Sequence, residues 1–402
     1  MRKDTKWTTA EDALSNESEF HGARISTARS IERMTQSELS SLTGIPQSKL
    51  SKMQNDIVPV TFQDVRKVAA AMDYPITFFS RQVEEIPVTE LTYRKKASSS
   101  QKEVHAVSFE YSELSALVTT LRNDLHLANK SKWVDALAPH NPEALGVAQI
   151  DKLAEDARRH MALPTLGAVS NVTRAMERCS IVVAPLHAPL DGNSDKADSE
   201  GVCHPGSTNA GCIGYAHHYS IPGDRLRFTQ AHELGHLILH RYRNPSTPQQ
   251  KEREANLFAG AFLLPLSDVK AAIQPDSPLS TFVDVKVGWG ISIAAAIQRA
   301  YNVGILNSNR YRSLQIQRSS RGWRINEPVQ VDAEKPMLLK QMIEARFSVR
   351  DRASDSVSEL PVNVQEATVL TGIPFRYLDY WANGLNEDGA SLGVRERRFS
   401  DA

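Results

Sequence analysis

Cysteine is scarce in these 402 residues. Only Cys179, Cys203 and Cys212 occur, too few for a disulfide framework and in keeping with a reducing compartment. Net charge is missing as well, with 47 basic residues against 47 acidic ones. No global field therefore draws the chain to nucleic acid or to a membrane, and any such surface has to be local. No apolar run approaches the roughly 18 residues of a membrane span. The opening stretch MRKDTKWTTAEDALSNESEF has no apolar core of the kind a signal peptide needs. No internal repeat is evident. These absences leave a soluble, cytoplasmic protein, long enough for two or three domains that each bury a core.

The pattern along the chain divides it. Residues 1–20 form a polar leader. Residues 21–81 carry closely spaced short helices, the first with Ala23, Ile25, Ala28 and Ile31 on one stripe. In "MTQSELSSLTG", Thr35 followed by Glu38 makes a capping box, and Gly44 stops the helix. "IPQSKLSKMQ" opens the next helix with a proline, and "TFQDVRKVAAAM" turns Val65, Val68, Ala69 and Met72 inward. Residues 82–146 are a linker and helical connector, with Leu114, Leu117, Val118, Leu121 and Leu125 at helical spacing. In 147–266, "CSIVVAPL" predicts a buried strand, "DGNSDKADSEGVCHPGSTNAG" a long polar loop, and two apolar helices follow. Residues 267–345 form a helical, arginine-rich extension, with Arg310, Arg312, Arg318, Arg321 and Arg324 but no acid in 301–324. Such a run is most often a solvated helical face. Residues 346–402 are a polar tail, apart from the apolar patch "FRYLDYWANGL".

The chemistry concentrates in "FTQAHELGHLILH". His232 and His236, four apart, share a helix face and can converge on one ion. Glu233 sits about 100° round the helix, off the metal but close to where a metal-bound water would need a general base. The helix is otherwise so apolar that it must be buried, and ionisable groups are rarely buried without a partner. Tetrahedral catalytic zinc takes three protein ligands and a water, and the following helix offers Glu252 and Glu254. The Met-turn class of zinc site is excluded, because Leu239 and Tyr242 stand where it needs a glycine and a histidine. His240 is expected to interact with the helix dipole. Cys203, His204, Cys212, His217 and His218 match no closed zinc motif. Tyr215, Tyr219, His217 and His218 are candidates for stabilising an oxyanion.

Together, "RFTQAHELGHLILH" and "EREANLFAGAFLLP" resemble the ImmA/IrrE family of zinc metallopeptidases, a likeness running from the helix near 150 to Pro265. The resemblance implies Zn2+ held by His232, His236 and a glutamate, with Glu233 as catalytic base. Glu252 is the glutamate expected, since E-x-x-A-N/D with the first glutamate as ligand is the form related peptidases use. Asn256, one turn on, is then expected to orient a ligand. "MTQSELSSLTGIPQSKLSKMQ" is similar to the helix-turn-helix of the XRE family of DNA-binding domains. Its recognition helix would run from Pro46 to Gln54, with Gln47, Ser48, Lys49 and Lys52 facing DNA and Gln36 placed for a phosphate. Residues 24–67 hold seven Lys/Arg against four Asp/Glu, an excess that permits DNA binding. Gln54-Asn55-Asp56 departs from the usual glutamate-x-glycine, and Pro46 replaces the common hydroxyl cap.

The expected fold is mainly α: a five-helix XRE-like domain, then an α+β zincin-like domain with a small sheet and a helical C-terminal extension. The expected function is a regulator and zinc endopeptidase that binds double-stranded DNA and cleaves a protein, by resemblance an XRE-type repressor. The alternative is a non-catalytic DNA-binding regulator that uses its zinc domain as sensor or scaffold. A homodimer is left open by the sequence.

Overall fold

The structure, a computed structural model, describes residues 19–92, 101–128, 130–141, 143–186, 201–207, 211–216, 221–245, 247–348 and 362–383. The polar leader up to residue 18, and His217, His218 and Tyr219, lie outside the described residues. The first helices are α1 (Gly22–Ile31), α2 (Gln36–Thr43), α3 (Gln47–Gln54), α4 (Phe62–Met72) and α5 (Gln101–Asp124). Then come α6 (Lys132–Leu137), α7 (Val147–His160), α8 (Val172–Arg178), and the strands β1 (Val182–Leu186), β2 (Gly201–Cys203) and β3 (Cys212–Ala216). They are followed by α9 (Gly223–Leu239), α10 (Pro248–Leu263), α11 (Leu266–Ala272), α12 (Leu279–Trp289), α13 (Ile293–Asn302) and α14 (Ser308–Ser320). The last are α15 (Leu338–Phe347), α16 (Val364–Thr371) and α17 (Phe375–Asn383). The fold is mainly α, with one small sheet. No single helix among the described residues is long and apolar enough to cross a membrane.

The chain forms two compact units. The first joins residues 1–86, 98–127 and 338–402, and the second joins 87–97 and 128–337.

In the first unit, local signals set the helix ends. Thr35 Oγ1 accepts from the Glu38 amide at 3.2 Å, and Glu38 returns a carboxylate to the Thr35 amide at 2.6 Å, closing the expected capping box. Gly44 takes the left-handed conformation (φ 67°) that ends α2, which glycine adopts without strain. Pro46 caps α3, and Leu50 and Met53 turn into a core with Ile25, Leu39 and Val65. The stripe expected on α1 is corrected at one position: Ala23 is exposed and Arg24 is buried. The Arg24 guanidinium lies 3.8 Å from the Phe78 ring centroid, donates to the Phe78 carbonyl at 3.1 Å and meets Glu113 at 2.5 Å. A buried charge with these partners is tolerated where a lone one would not be. In place of a fifth helix before the linker stands a 3-10 turn, Ile76–Ser80.

Contrary to the absence of repeats expected from the sequence, a short repeat is plain in three dimensions. Leu370-Thr371-Gly372-Ile373-Pro374 is identical to Leu42-Thr43-Gly44-Ile45-Pro46, and the two stretches fold alike. Thr371 Oγ1 donates to the Ala367 carbonyl at 2.6 Å and accepts from the Ile373 amide at 3.2 Å; Thr43 makes the same pair of bonds at 2.7 and 3.2 Å. Gly372 repeats φ 67°, and Asn363 caps α16 as Thr35 caps α2. The second helices differ in use. On α3, Gln47, Ser48, Lys49 and Lys52 are exposed. On α17, Tyr377, Leu378, Tyr380 and Trp381 are buried in packing against α15 and α16. Aromatic side chains of that size stabilise by burial, so α17 is a packing helix.

The second unit holds the sheet, in the order β1-β3-β2. β1 runs parallel to β3, with Val182 opposite Cys212, and β2 runs antiparallel to it, with Cys203 opposite Ile213. β2 falls within the stretch expected to be loop, and β3 begins directly after it. Three residues rich in neither β-branching nor alternation, Gly-Val-Cys, give too little pattern to read as a strand. α9 packs on β2, β3 and α10, and α10 packs on α7. Gly235 lets α9 and α10 approach closely, since a Cβ there would meet the Phe258 side chain at 3.1 Å. Buried charges are paired: Arg299 forks onto Asp151 at 2.7 and 3.0 Å, and Lys286 bonds Asp224 at 2.7 Å and Glu327 at 3.0 Å.

Candidate metal centre

α9 is buried along nearly its whole length, including His232, Glu233 and His236. α10 crosses it and brings Glu252 in from the first turns of its own helix. The two histidine Nε2 atoms stand 3.0 Å apart. Glu252 Oε2 lies 3.3 Å from His232 Nε2, and Oε1 lies 3.4 Å from His236 Nε2. The corners of a tetrahedron drawn 2.0–2.2 Å around a zinc ion are about 3.3–3.6 Å apart, so the donor set needs shifts of only a few tenths of an ångström to hold such an ion. No second group of this kind forms among the described residues.

Hydrogen bonds behind the ring nitrogens favour the same arrangement. His232 Nδ1 lies 2.9 Å from Asn256 Oδ1; a carbonyl oxygen can only accept, so one proton sits on Nδ1 and Nε2 is the nitrogen left to bind a metal once its own proton is displaced. On the other ring the chain is longer. His240 Nε2 lies 3.3 Å from Glu254 Oε2, and His240 Nδ1 lies 2.9 Å from His236 Nδ1. Burial lowers the His240 pKa to about 4, so the ring is neutral at pH 7. It donates to the carboxylate through Nε2 and accepts from His236 through Nδ1. His236 therefore presents a bare Nε2. Burial holds His236 well below the ordinary imidazole pKa. For His232, burial acts in the same direction, but bonding to Glu252 and the charges of Glu233 and Glu252 outweigh it and raise the pKa. Burial would raise Glu252, yet both histidines bring it below the usual carboxylate range.

Glu254 has other partners. Fully buried, it accepts from Arg243 Nη1 at 2.8 Å, from the Leu145 amide at 3.0 Å and from Gln250 at 3.1 Å. His240 stands at the C-terminus of α9, but as a neutral ring bonded to His236 and Glu254 it brings no cation to the helix dipole, which corrects the role expected of it. The repeated four-residue spacing His232, His236, His240 was the available signal.

Glu233 sits beside the two histidines with 1% of its surface exposed. Its Oε2 accepts from Thr92 Oγ1 at 2.6 Å, a residue that no local pattern could have flagged. Gly201 on β2 lies so close that a Cβ there would come within 2.6 Å of Glu233 Cγ. The cysteine–histidine cluster does not assemble among its described members. Cys203 Sγ donates to the Glu233 carbonyl at 3.5 Å, His204 pairs with Glu90 at 3.1 Å, and Cys212 faces Val182 across the sheet. Burial, then the charge of Glu233, pushes the Cys203 thiol well up, and Cys203 is not among the three converging donors. Tyr215 is buried in the core, where burial and Glu177 raise its pKa.

In the first unit, four of the five residues singled out for DNA lie on α3. Gln47, Ser48, Lys49 and Lys52 are exposed on α3, and Gln36 opens α2 half-buried. Lys49 differs from the others in that its Nζ donates to Asp64 at 2.6 Å.

Residues 196–301, about a quarter of the chain, match the family model Peptidase_M78, the IrrE N-terminal-like domain. That span contains both α9 and α10, and the match supports a metallopeptidase domain of the ImmA/IrrE kind. No curated protein matches the chain.

Two outcomes follow from this geometry. Glu252→Gln should cut zinc affinity at least 100-fold with little change in thermal stability. Glu254→Ala should instead destabilise the second unit by about 3–5 kcal/mol, because Arg243 is left buried without its carboxylate. Asn256→Ala and His240→Ala should each weaken zinc about 10–100-fold. Chelator competition and urea unfolding of the metal-free protein separate the two effects, and a larger zinc loss from Glu254→Ala than from Glu252→Gln would reverse the assignment. The second outcome concerns pH. Zinc must displace the proton that the raised pKa of His232 retains, whereas His236 is already neutral. Affinity should therefore fall as the pH drops through the raised pKa of His232. Chelator titrations from pH 8 down to pH 5 check this, and a flat response would show that zinc displaces no proton from His232.

Proposed function

We propose that this protein is a cytoplasmic regulator that joins a zinc endopeptidase to a DNA-binding helix-turn-helix. The convergence of His232, His236 and Glu252 within 3.0–3.4 Å, with Glu233 beside them, carries the enzymatic half. His232, His236 and Glu252 would hold Zn2+, which when bound polarises the scissile carbonyl and acidifies water. Glu233 takes a proton from the attacking water on its carboxylate and delivers it to the departing amide nitrogen. Asn256 and His240 orient the ligand rings from behind. The low-dielectric surroundings of α9 strengthen each of these interactions. The substrate in this reading is a protein, by resemblance a repressor of the XRE type.

The DNA-binding half rests on α2 and α3. Exposed Gln47, Ser48 and Lys52 on α3 would face base edges in the major groove, and Gln36 at the start of α2 a phosphate. Lys49 would contribute less than its position suggests, because Asp64 already neutralises it. The partner is double-stranded DNA. A regulator that only senses zinc is the competing reading, and Glu233 distinguishes the two, since a scaffold has no use for a base.

Glu233→Gln should retain stoichiometric zinc and lose at least 100-fold in cleavage, measured by incubating the zinc-loaded protein with candidate repressors and resolving fragments by mass spectrometry. Cleavage at the wild-type rate would remove Glu233 from the chemistry. For DNA, the full chain should bind a site flanking its own gene with an affinity that drops steeply as salt rises. Lys52→Ala should weaken all sequences evenly, while Gln47→Ala should cost about 1–3 kcal/mol at particular bases only. Weak, sequence-independent binding that ignores Gln47→Ala would point to a protein-interaction role for α3.

A further inference from the structure

β2 is an edge strand, and an edge presents backbone groups that another extended peptide can pair with. Here the occupant belongs to the same chain. The Thr92 amide donates to the Cys203 carbonyl at 3.0 Å, and the Cys203 amide donates to Thr92 Oγ1 at 2.7 Å. Both polar groups of one β2 residue are thus taken by one residue of the incoming segment. The same Thr92 hydroxyl donates its proton to Glu233 Oε2 at 2.6 Å. Leu91 and Thr92 are buried, at 5% and 7% exposure, and Glu90 pairs with His204, the residue following β2, at 3.1 Å. A short 3-10 turn, Val88–Glu90, leads into this contact.

We propose that the edge of β2 turned away from β3 is the peptide-binding edge of the metal centre, and that the chain covers it at Cys203 with its own segment Glu90–Thr92, which holds the peptidase closed to substrate. The proposal rests on the peptidase reading above. A protein substrate has to lay its backbone where a water held by Glu233 can reach the scissile carbonyl, and β2, packed against Glu233 through Gly201, is the edge at that position. The segment takes that edge and also the carboxylate oxygen that an attacking water would use. It is not itself cut in this pose, because the Thr92 hydroxyl occupies the Glu233 oxygen that would otherwise take a proton from the attacking water. The occupant is also always at hand. Residues 87–97 are joined covalently at both ends to stretches of the first unit, and such tethering gives a local concentration on the order of millimolar. Substrate competes with that, or waits until the segment is drawn off.

The test uses the full-length, zinc-loaded protein with two variants. Leu91→Asp places a charge in a buried apolar position, and Thr92→Val keeps the shape but removes the hydroxyl. Hydrogen exchange over residues 200–205 should quicken at least tenfold in Leu91→Asp, and at Cys203 in Thr92→Val. Hydrolysis of a quenched-fluorescence decapeptide mixture should rise at least tenfold at equal zinc content. The synthetic peptide spanning residues 87–96 should restore both protection and the low rate in Leu91→Asp, and the same peptide with valine for Thr92 should not. Unchanged exchange in both variants would show that the segment does not hold the edge. Faster exchange with unchanged hydrolysis, where Glu233→Gln is inactive, would end the inhibitory role and leave the peptidase standing. If no version hydrolyses any peptide, the peptidase reading fails and the proposed closure fails with it, whereas exchange still reports whether the edge is occupied.

Discussion

Two imidazole nitrogens 3.0 Å apart, each with its proton on the far side of the ring, repel one another unless a cation or a shared proton lies between them. The buried part of the second unit is arranged around that constraint. Asn256 fixes one ring, and His240, held by Glu254 and Arg243, fixes the other. Glu252 supplies the negative charge that a divalent ion needs alongside two neutral rings. Without the ion, the same carboxylate keeps a proton on His232, which is why that pKa rises despite burial. Ionisable groups so deeply buried are costly alone, so ligand, orienting group and counter-charge have to be present together.

The packing of α9 on α10 follows from this need. The helices must approach closely enough for a carboxylate on one to reach two rings on the other, and Gly235 against Phe258 permits it. Apolar residues on both helices, among them Leu234, Ile238, Phe258 and Phe262, share one core and exclude water. Glu233 stands on the same helix as the histidines but turns toward β2 and Thr92. One helix thus presents ligands to one side and a base to another, and a peptide lying on β2 would pass beside the base.

What could be read from the sequence was what one helix or one capping signal encodes. His232, Glu233 and His236 sit within five residues, and the Thr35–Glu38 box and Gly44 fix α2 without help from elsewhere. Choosing Glu252 over Glu254 needed the second helix's register, and the structure separates them by their partners: the metal histidines for one, Arg243 for the other. The contacts of Thr92 were out of reach, since it meets Cys203 111 residues away and Glu233 141 residues away. β2 was hidden by its brevity. The repeat of Thr43-Gly44-Ile45-Pro46 at Thr371–Pro374 escaped because a shared turn joins second helices of opposite character, polar in α3 and aromatic in α17. Arg24 misled the stripe on α1 because its burial depends on Glu113 and Phe78, neither nearby in sequence.

The ligand set itself is the central claim, and X-ray absorption at the zinc edge of the full-length protein reads it directly. The account predicts a four-coordinate ion with two imidazole nitrogens and oxygen for the remaining donors, at about 2.0–2.2 Å, and no sulfur. In Glu252→Gln that pattern should lose an oxygen or vanish with the metal. A sulfur shell near 2.3 Å would bring Cys203 or Cys212 into the site and contradict the assignment of Glu252.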